Sequence, residues 1–141
     1  MHNTILQFWF HEIAPAQRWK VDPAFDRVIV ERFSEVHAQA NRCELFEWRK
    51  ESGGRLAEII VLDQFSRNMY RHTAQAFSSD PLALALAQEA ISAHVAPMLE
   101  PAQRAFLYLP FMHSESPVIH EMAVRLFGEP GMDSNRDFEL R

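Results

Sequence analysis

At 141 residues, with 48% hydrophobic and 23% charged side chains, the chain has the make-up of one ordinary globular domain. Its net charge of −5 comes with no run of Lys and Arg, which argues against nucleic acid as a partner. A single cysteine, Cys43, excludes an internal disulfide, and no apolar run approaches the roughly 20 residues of a membrane span, so the chain reads as soluble and cytoplasmic.

Thr4 can cap a first short helix carrying Ile5, Leu6, Phe8, Trp9 and Phe10, and Pro15 breaks it. Asp22-Pro23 is an acid followed by proline at a first helical position. Phe25, Val28, Ile29, Phe33 and Val36 then recur at helical spacing, which predicts a helix to about Ala40 with Glu35 and His37 at its wet face. After a short segment from Leu45 to Glu51, Ser52-Gly53-Gly54 lets the chain turn. The stretch Arg55–Arg71 follows as the central helix. Leu56, Ile59, Ile60, Leu62 and Phe65 form its apolar wall, and Asp63, Gln64, Arg67 and Asn68 its polar turns.

Asp80-Pro81, Glu100-Pro101 and Ser116-Pro117 repeat the cap-and-proline signal. The first opens an alanine-rich helix through Ile91, whose small side chains let a neighbour approach closely. The second opens a helix carrying Phe106, Leu107 and Leu109 until Pro110 interrupts it. The third opens a helix carrying Val118, Ile119, Met122, Ala123, Leu126 and Phe127, which Gly128 stops. Residues 129–141 read as a polar tail or the start of a further helix. No strand pattern competes. The chain is therefore expected to be a single all-α domain of six or seven helices, arranged as stacked antiparallel hairpins or as a bundle.

Three ordered motifs carry a resemblance. They are Ile5-Leu-Gln-Phe-Trp-Phe10, Leu62-Asp-Gln-Phe-Ser-Arg-Asn-Met-Tyr-Arg71 and Phe106-Leu-Tyr-Leu-Pro-Phe-Met-His-Ser-Glu115. Together they resemble the bacterial DUF924 family, whose pattern includes L-D-Q-F-P-R-N-x-Y-R and F-L-Y-L-P-F-x-H-S-E in this order. The resemblance implies a tetratricopeptide-repeat-like all-α fold and brings no established activity with it. Ser66 stands where that family usually has proline, so the central helix is expected to run unbroken through Arg67. Family members usually go on with a further helix and an F-G-R-F-P-H-R-N-like segment. The resemblance therefore implies a C-terminal truncation after Asp137-Phe-Glu-Leu.

The chemistry concentrates in the second and third motifs. Asp63 and Arg67, four apart, form either a substrate-binding charge pair or a structural ion pair. Gln64 and Asn68 share that spacing. Arg67 and Arg71 form either a bidentate anion clamp or, for Arg71, a cation at a helix end. His113-Ser114-Glu115 offers an acid–base pair in His113 and Glu115. It also offers a weak metal set with Asp63, which lacks the second histidine of H-E-x-x-H, and a Ser114 nucleophile without the G-x-S-x-G turn. The plain alternative is that Ser114 or Ser116 caps the last helix while His113 bonds across to the central helix. His2, His11, His37, His72, His94 and His120 show no ligand spacing, and Cys43 beside Arg42 reads as an inert thiol.

The candidate ligand-binding set is Asp63, Arg67, Asn68, Arg71, His113 and Glu115, with no metal or cofactor assigned. The leading expectation is a binding or scaffold module for a small anionic ligand or a protein or peptide partner. The competing expectation is an enzyme with a His113–Glu115 acid–base pair and an Arg67 anion clamp.

Overall fold

The computed structural model describes residues 1–132. Among them every regular element is helical. Helix α1 (His2–Gln7) passes directly into a π turn, Phe8–Glu12. Helix α2 spans Pro23–Asn41. A central rod follows over residues 52–69, made of α3 (Ser52–Ile60), a second π turn (Val61–Phe65) and α4 (Ser66–Met69). Helices α5 (Asp80–Ser92), α6 (Pro101–His113) and α7 (Pro117–Leu126) complete the chain. Counted as continuous rods, the described residues hold six helices, joined by short 3-10 turns such as Phe46–Lys50 and Ala74–Phe77. The part of the expected tail or further helix that runs from residue 133 on lies outside the described residues.

The proline signals are where the helices begin, and the reason is visible at the caps. Asp22 accepts from the backbone N–H groups of Ala24 and Phe25 at 3.0 and 3.4 Å, two donors that no helical carbonyl reaches. Ser116 does the same for Ile119 at 3.4 Å. Two of the expected caps are different. Helix α1 starts before Thr4, at His2, and α5 starts at Asp80 itself, whose carboxylate makes no cap bond.

The central rod is the hub. Helices α1, α2, α5 and α6 all pack on it, and α7 packs on α6. Its wall of Leu56, Ile59, Ile60, Leu62 and Phe65 is wholly buried. Phe65 meets the rings of Phe8, Trp9 and Phe33 at centroid distances of 6.1, 5.7 and 5.0 Å. These three bring the π turn that follows α1, and α2, onto the rod. On the other side, Ala83, Ala87 and Ala90 of α5 are buried at helical spacing, so α5 can lie close against α3 and α6.

Three expectations need correction. Gly53 and Gly54 are inside α3 and do not form a turn before it. The reason is close approach: a Cβ on Gly54 would lie 2.0 Å from the carbonyl oxygen of Trp48. Gly54→Ala is therefore expected to cost about 2–3 kcal/mol in denaturant unfolding, because backbone and not a flexible side chain must give way. Pro110 does not end α6, which continues to His113. Burial of Phe106, Leu107, Leu109 and Phe111 holds the helix on both sides of the ring, against the usual cost of an interior proline of about 3 kcal/mol. Finally, residues 129–132 are docked. Tyr108 donates to Glu129 Oε1 at 2.7 Å, and Met132 is fully buried.

Candidate functional site

The two π turns fall at the two places where chemistry-bearing or aromatic residues crowd a helix. Widening one turn to i→i+5 bonding adds a residue to it, and such turns gather at functional sites. In the rod the wide turn holds Asp63 and Gln64. Asp63 is 1% exposed. An unpaired carboxylate there would be very costly, so its partners decide what it is. Gln64 donates to Oδ2 at 2.8 Å, and His113 Nδ1 donates to Oδ1 at 2.8 Å. Arg67 Nη1 lies 3.4 Å from Oδ1 and donates to the Asp63 carbonyl at 2.7 Å. Burial pushes the Asp63 carboxyl up. His113, by the charge of its protonated form and by its hydrogen bond, then Arg67 and Gln64, outweigh that and hold it below the ordinary carboxylate range.

The second and third motifs thus meet through a buried carboxylate–imidazole pair. His113 is the last residue of α6, its side chain 21% exposed. With Nδ1 bound to Asp63, a neutral ring carries its lone pair on Nε2. That atom has no hydrogen-bond partner among the described residues. His113 lines a cleft of about 510 Å³ together with Arg67, Phe77, Asp80, Pro81, Leu84, Ser114 and Glu115. The volume lies within the range of small-molecule sites.

Arg67 is not the open clamp expected of it. Asp80 takes both Nη atoms at 2.9 Å, so the bidentate partner is the aspartate that opens α5 and not Asp63. The guanidinium also lies 5.3 Å from the centre of the exposed Phe77 ring. Arg71 and Asn68 belong to a different cluster. Arg71 Nε and Nη2 bind Asp26 of α2 at 2.8 and 3.1 Å, and Asn68 donates to Asp26 at 2.9 Å. Burial raises the Asp26 carboxyl, but the bonds from Arg71 and Asn68 lower it further, and the pair ties α2 to the end of the rod. Gln64 and Asn68, despite their spacing, bind different aspartates.

Glu115 is exposed and bonded to no other described residue. It lines the cleft without touching His113, so the His113–Glu115 pair expected from sequence is replaced by His113–Asp63. Ser114 Oγ accepts from the Ser116 backbone N–H at 3.1 Å, and its carbonyl accepts from His120 Nε2. This bonding suits a capping residue better than a nucleophile. Among the described residues no group of three or more His, Cys, Asp or Glu side chains has the arrangement to hold a metal ion.

Sequence reasoning missed Asp80 and Asp26, because each sits in or beside a helix-start signal that already explained an acid. It also misplaced His37, which is buried. Its Nε2 lies 2.7 Å from Ser66 Oγ, and that hydroxyl donates to the Leu62 carbonyl at 2.6 Å, so the ring is the donor. Burial pushes the His37 pKa down. The spacing Phe33–His37–Ala40 already put it on the buried stripe.

A family model described as a bacterial protein of unknown function, DUF924, matches residues 5–139. A solved structure of a protein of unknown function from Agrobacterium tumefaciens is similar over 99% of this chain and 82% of its own, with 34% identity and a TM-score of 0.86. No curated protein matches. Among the described residues no helix is long and apolar enough to cross a membrane.

Proposed function

The chain belongs to the DUF924 family, and from that premise we propose that it is a binding module whose cleft beside His113 takes a ligand group that donates a hydrogen bond. One observation carries the reading: Asp63 fixes His113 through Nδ1, and in the neutral ring Nε2, which meets no described residue, is then an acceptor beside the cleft that His113 lines. A buried carboxylate sets both tautomer and ring orientation, which is how a histidine is pre-organised for one task. The charges on the walls select among ligands. Arg67 is paired with Asp80, and Glu115 leaves a negative surplus on the walls. That surplus disfavours a small anion in this cleft and suits an ammonium or the N–H groups of a peptide. Phe77, Pro81 and Leu84 supply the apolar wall such a ligand needs. We place this binding in the cytoplasm.

A second reading rests on the same pair. A histidine oriented by a carboxylate is also a general base, and in an enzyme Asp63, not Glu115, would be its partner.

His113→Gln tests both. Glutamine can still donate to Asp63 but offers no acceptor where Nε2 stood. Titration calorimetry against short synthetic peptides and simple alkylamines is expected to show saturable binding to the native chain. The variant is expected to bind at least about tenfold more weakly, with little change in melting temperature. Turnover of a bound compound, lost in the variant, selects the enzyme. No binding across the panel removes the module.

A further inference from the structure

A second pocket, about 460 Å³, adjoins the first and shares Arg67 and Phe77 with it. Its other lining residues are Arg71, His72, Thr73, Ala74 and Ala76, so no carboxylate lines it. Asp26 and Asp80 do contact the two guanidinium groups, but each uses only part of the fork. Asp26 binds Nε and Nη2 of Arg71, and Asp80 binds Nη1 and Nη2 of Arg67. Arg71 Nη1 and Arg67 Nε have no partner among the described residues. A guanidinium has five N–H donors in a fixed plane. An aspartate on one edge orients the group and leaves the rest of the fork available. Thr73, beside them, spends its hydroxyl proton on the Tyr70 carbonyl at 2.7 Å and keeps its lone pairs. The side-chain donors in this pocket therefore come from the two arginines, with His72 beside them.

We propose that this pocket is an oxyanion site, in which Arg71, oriented by Asp26, and Arg67 receive a phosphate or carboxylate group. The site is separate from the His113 cleft in its recognition groups and is joined to it through Arg67 and Phe77. Its ligand chemistry is opposite in sign: donors face the anion here, whereas an acceptor faces the ligand at Nε2. A ligand long enough to enter both presents an anionic end to Arg71 and a donor end to His113.

Amide chemical shifts of the full chain, followed by NMR at constant ionic strength, test the proposal with inorganic phosphate in one arm and acetate in the other. Saturable shifts confined to Arg67 and residues 71–77 are expected, in either arm or both; the stronger arm names the anion. Arg71→Lys keeps the charge and loses the planar fork. It is expected to weaken binding about tenfold while the remaining amides stay in place. Asp26→Asn relieves the competing carboxylate and is expected to tighten binding. His113→Gln is expected to leave these shifts unchanged, so failure of the first cleft and failure of this one are told apart. Absence of saturation through the millimolar range in both arms, or unchanged affinity in both Arg71→Lys and Asp26→Asn, overturns the site.

Discussion

Asp63→Ala is expected to lower the free energy of unfolding by about 3 kcal/mol, and Asp63→Asn by less. Breaking a buried ion pair by removing one member costs about 3–5 kcal/mol, because the other charge is left without its partner. The lower end applies here. Arg67 keeps Asp80, and the His113 and Arg67 side chains are each about one-fifth exposed, so water recovers part of the loss. Asparagine keeps the volume and can accept from His113, which separates the loss of charge from the loss of packing. The acid limb supplies an independent check. The folded pKa of Asp63 lies below its ordinary value of 3.8. Its contribution is therefore complete above that value and is lost as pH falls through the lower folded one. The difference between native chain and Asp63→Asn is expected to be largest near neutrality and to shrink in acid. Denaturant unfolding at neutral pH and again at about pH 3 measures both. A difference that is the same at the two values would show that the carboxylate is not held as described.

Phe65→Ala is expected to cost about 4 kcal/mol, the largest effect of any single truncation discussed. Phe65 is fully buried and touches three other rings contributed by two further elements. Those neighbours cannot all collapse into the space it leaves, so a cavity term adds to the transfer term. Phe65→Leu keeps most of the volume and is expected to cost roughly 1–1.5 kcal/mol. Phe65 also closes the wide turn that holds Asp63. Hydrogen exchange of the amides from Val61 to Ser66 is thus expected to quicken in Phe65→Ala beyond the change in the rest of the rod. Uniform quickening would mean that the aromatic cluster does not hold the turn.

The helices were legible because their signals are local. Prolines at the first or second position of α2, α5, α6 and α7 and apolar spacing of three and four residues place them within a few positions. The membership of the polar clusters was legible only in part. Asp63, Arg67 and His113 stand out as ionisable groups in apolar motifs, and the structure brings them together. Their pairing was not legible, since it depends on how helices cross. Asp80 reaches Arg67 because α5 packs on the rod, and Asp26 reaches Arg71 because α2 does. Neither fact has a mark in the spacing of the residues involved. The π turns were equally hidden, because a run such as Val-Leu-Asp-Gln-Phe suits a standard turn as well as a wide one. His37 was different. Its position on the buried face could be counted out, and the histidine's polarity weighed too heavily against it.

The extra residue accommodated between Ile60 and Ser66 makes chain length in that stretch a property in its own right. Deleting any one residue there would let the rod revert to ordinary helical winding and remain a sound helix. Because a wide turn absorbs the residue it adds, the side chains beyond it would keep nearly the facing they have now, and Arg67, Asn68 and Arg71 would still meet their aspartates. What would go is the widened ring of backbone that seats Asp63. Length through this segment thus bears on the seat of the buried carboxylate and not on the course of the rod.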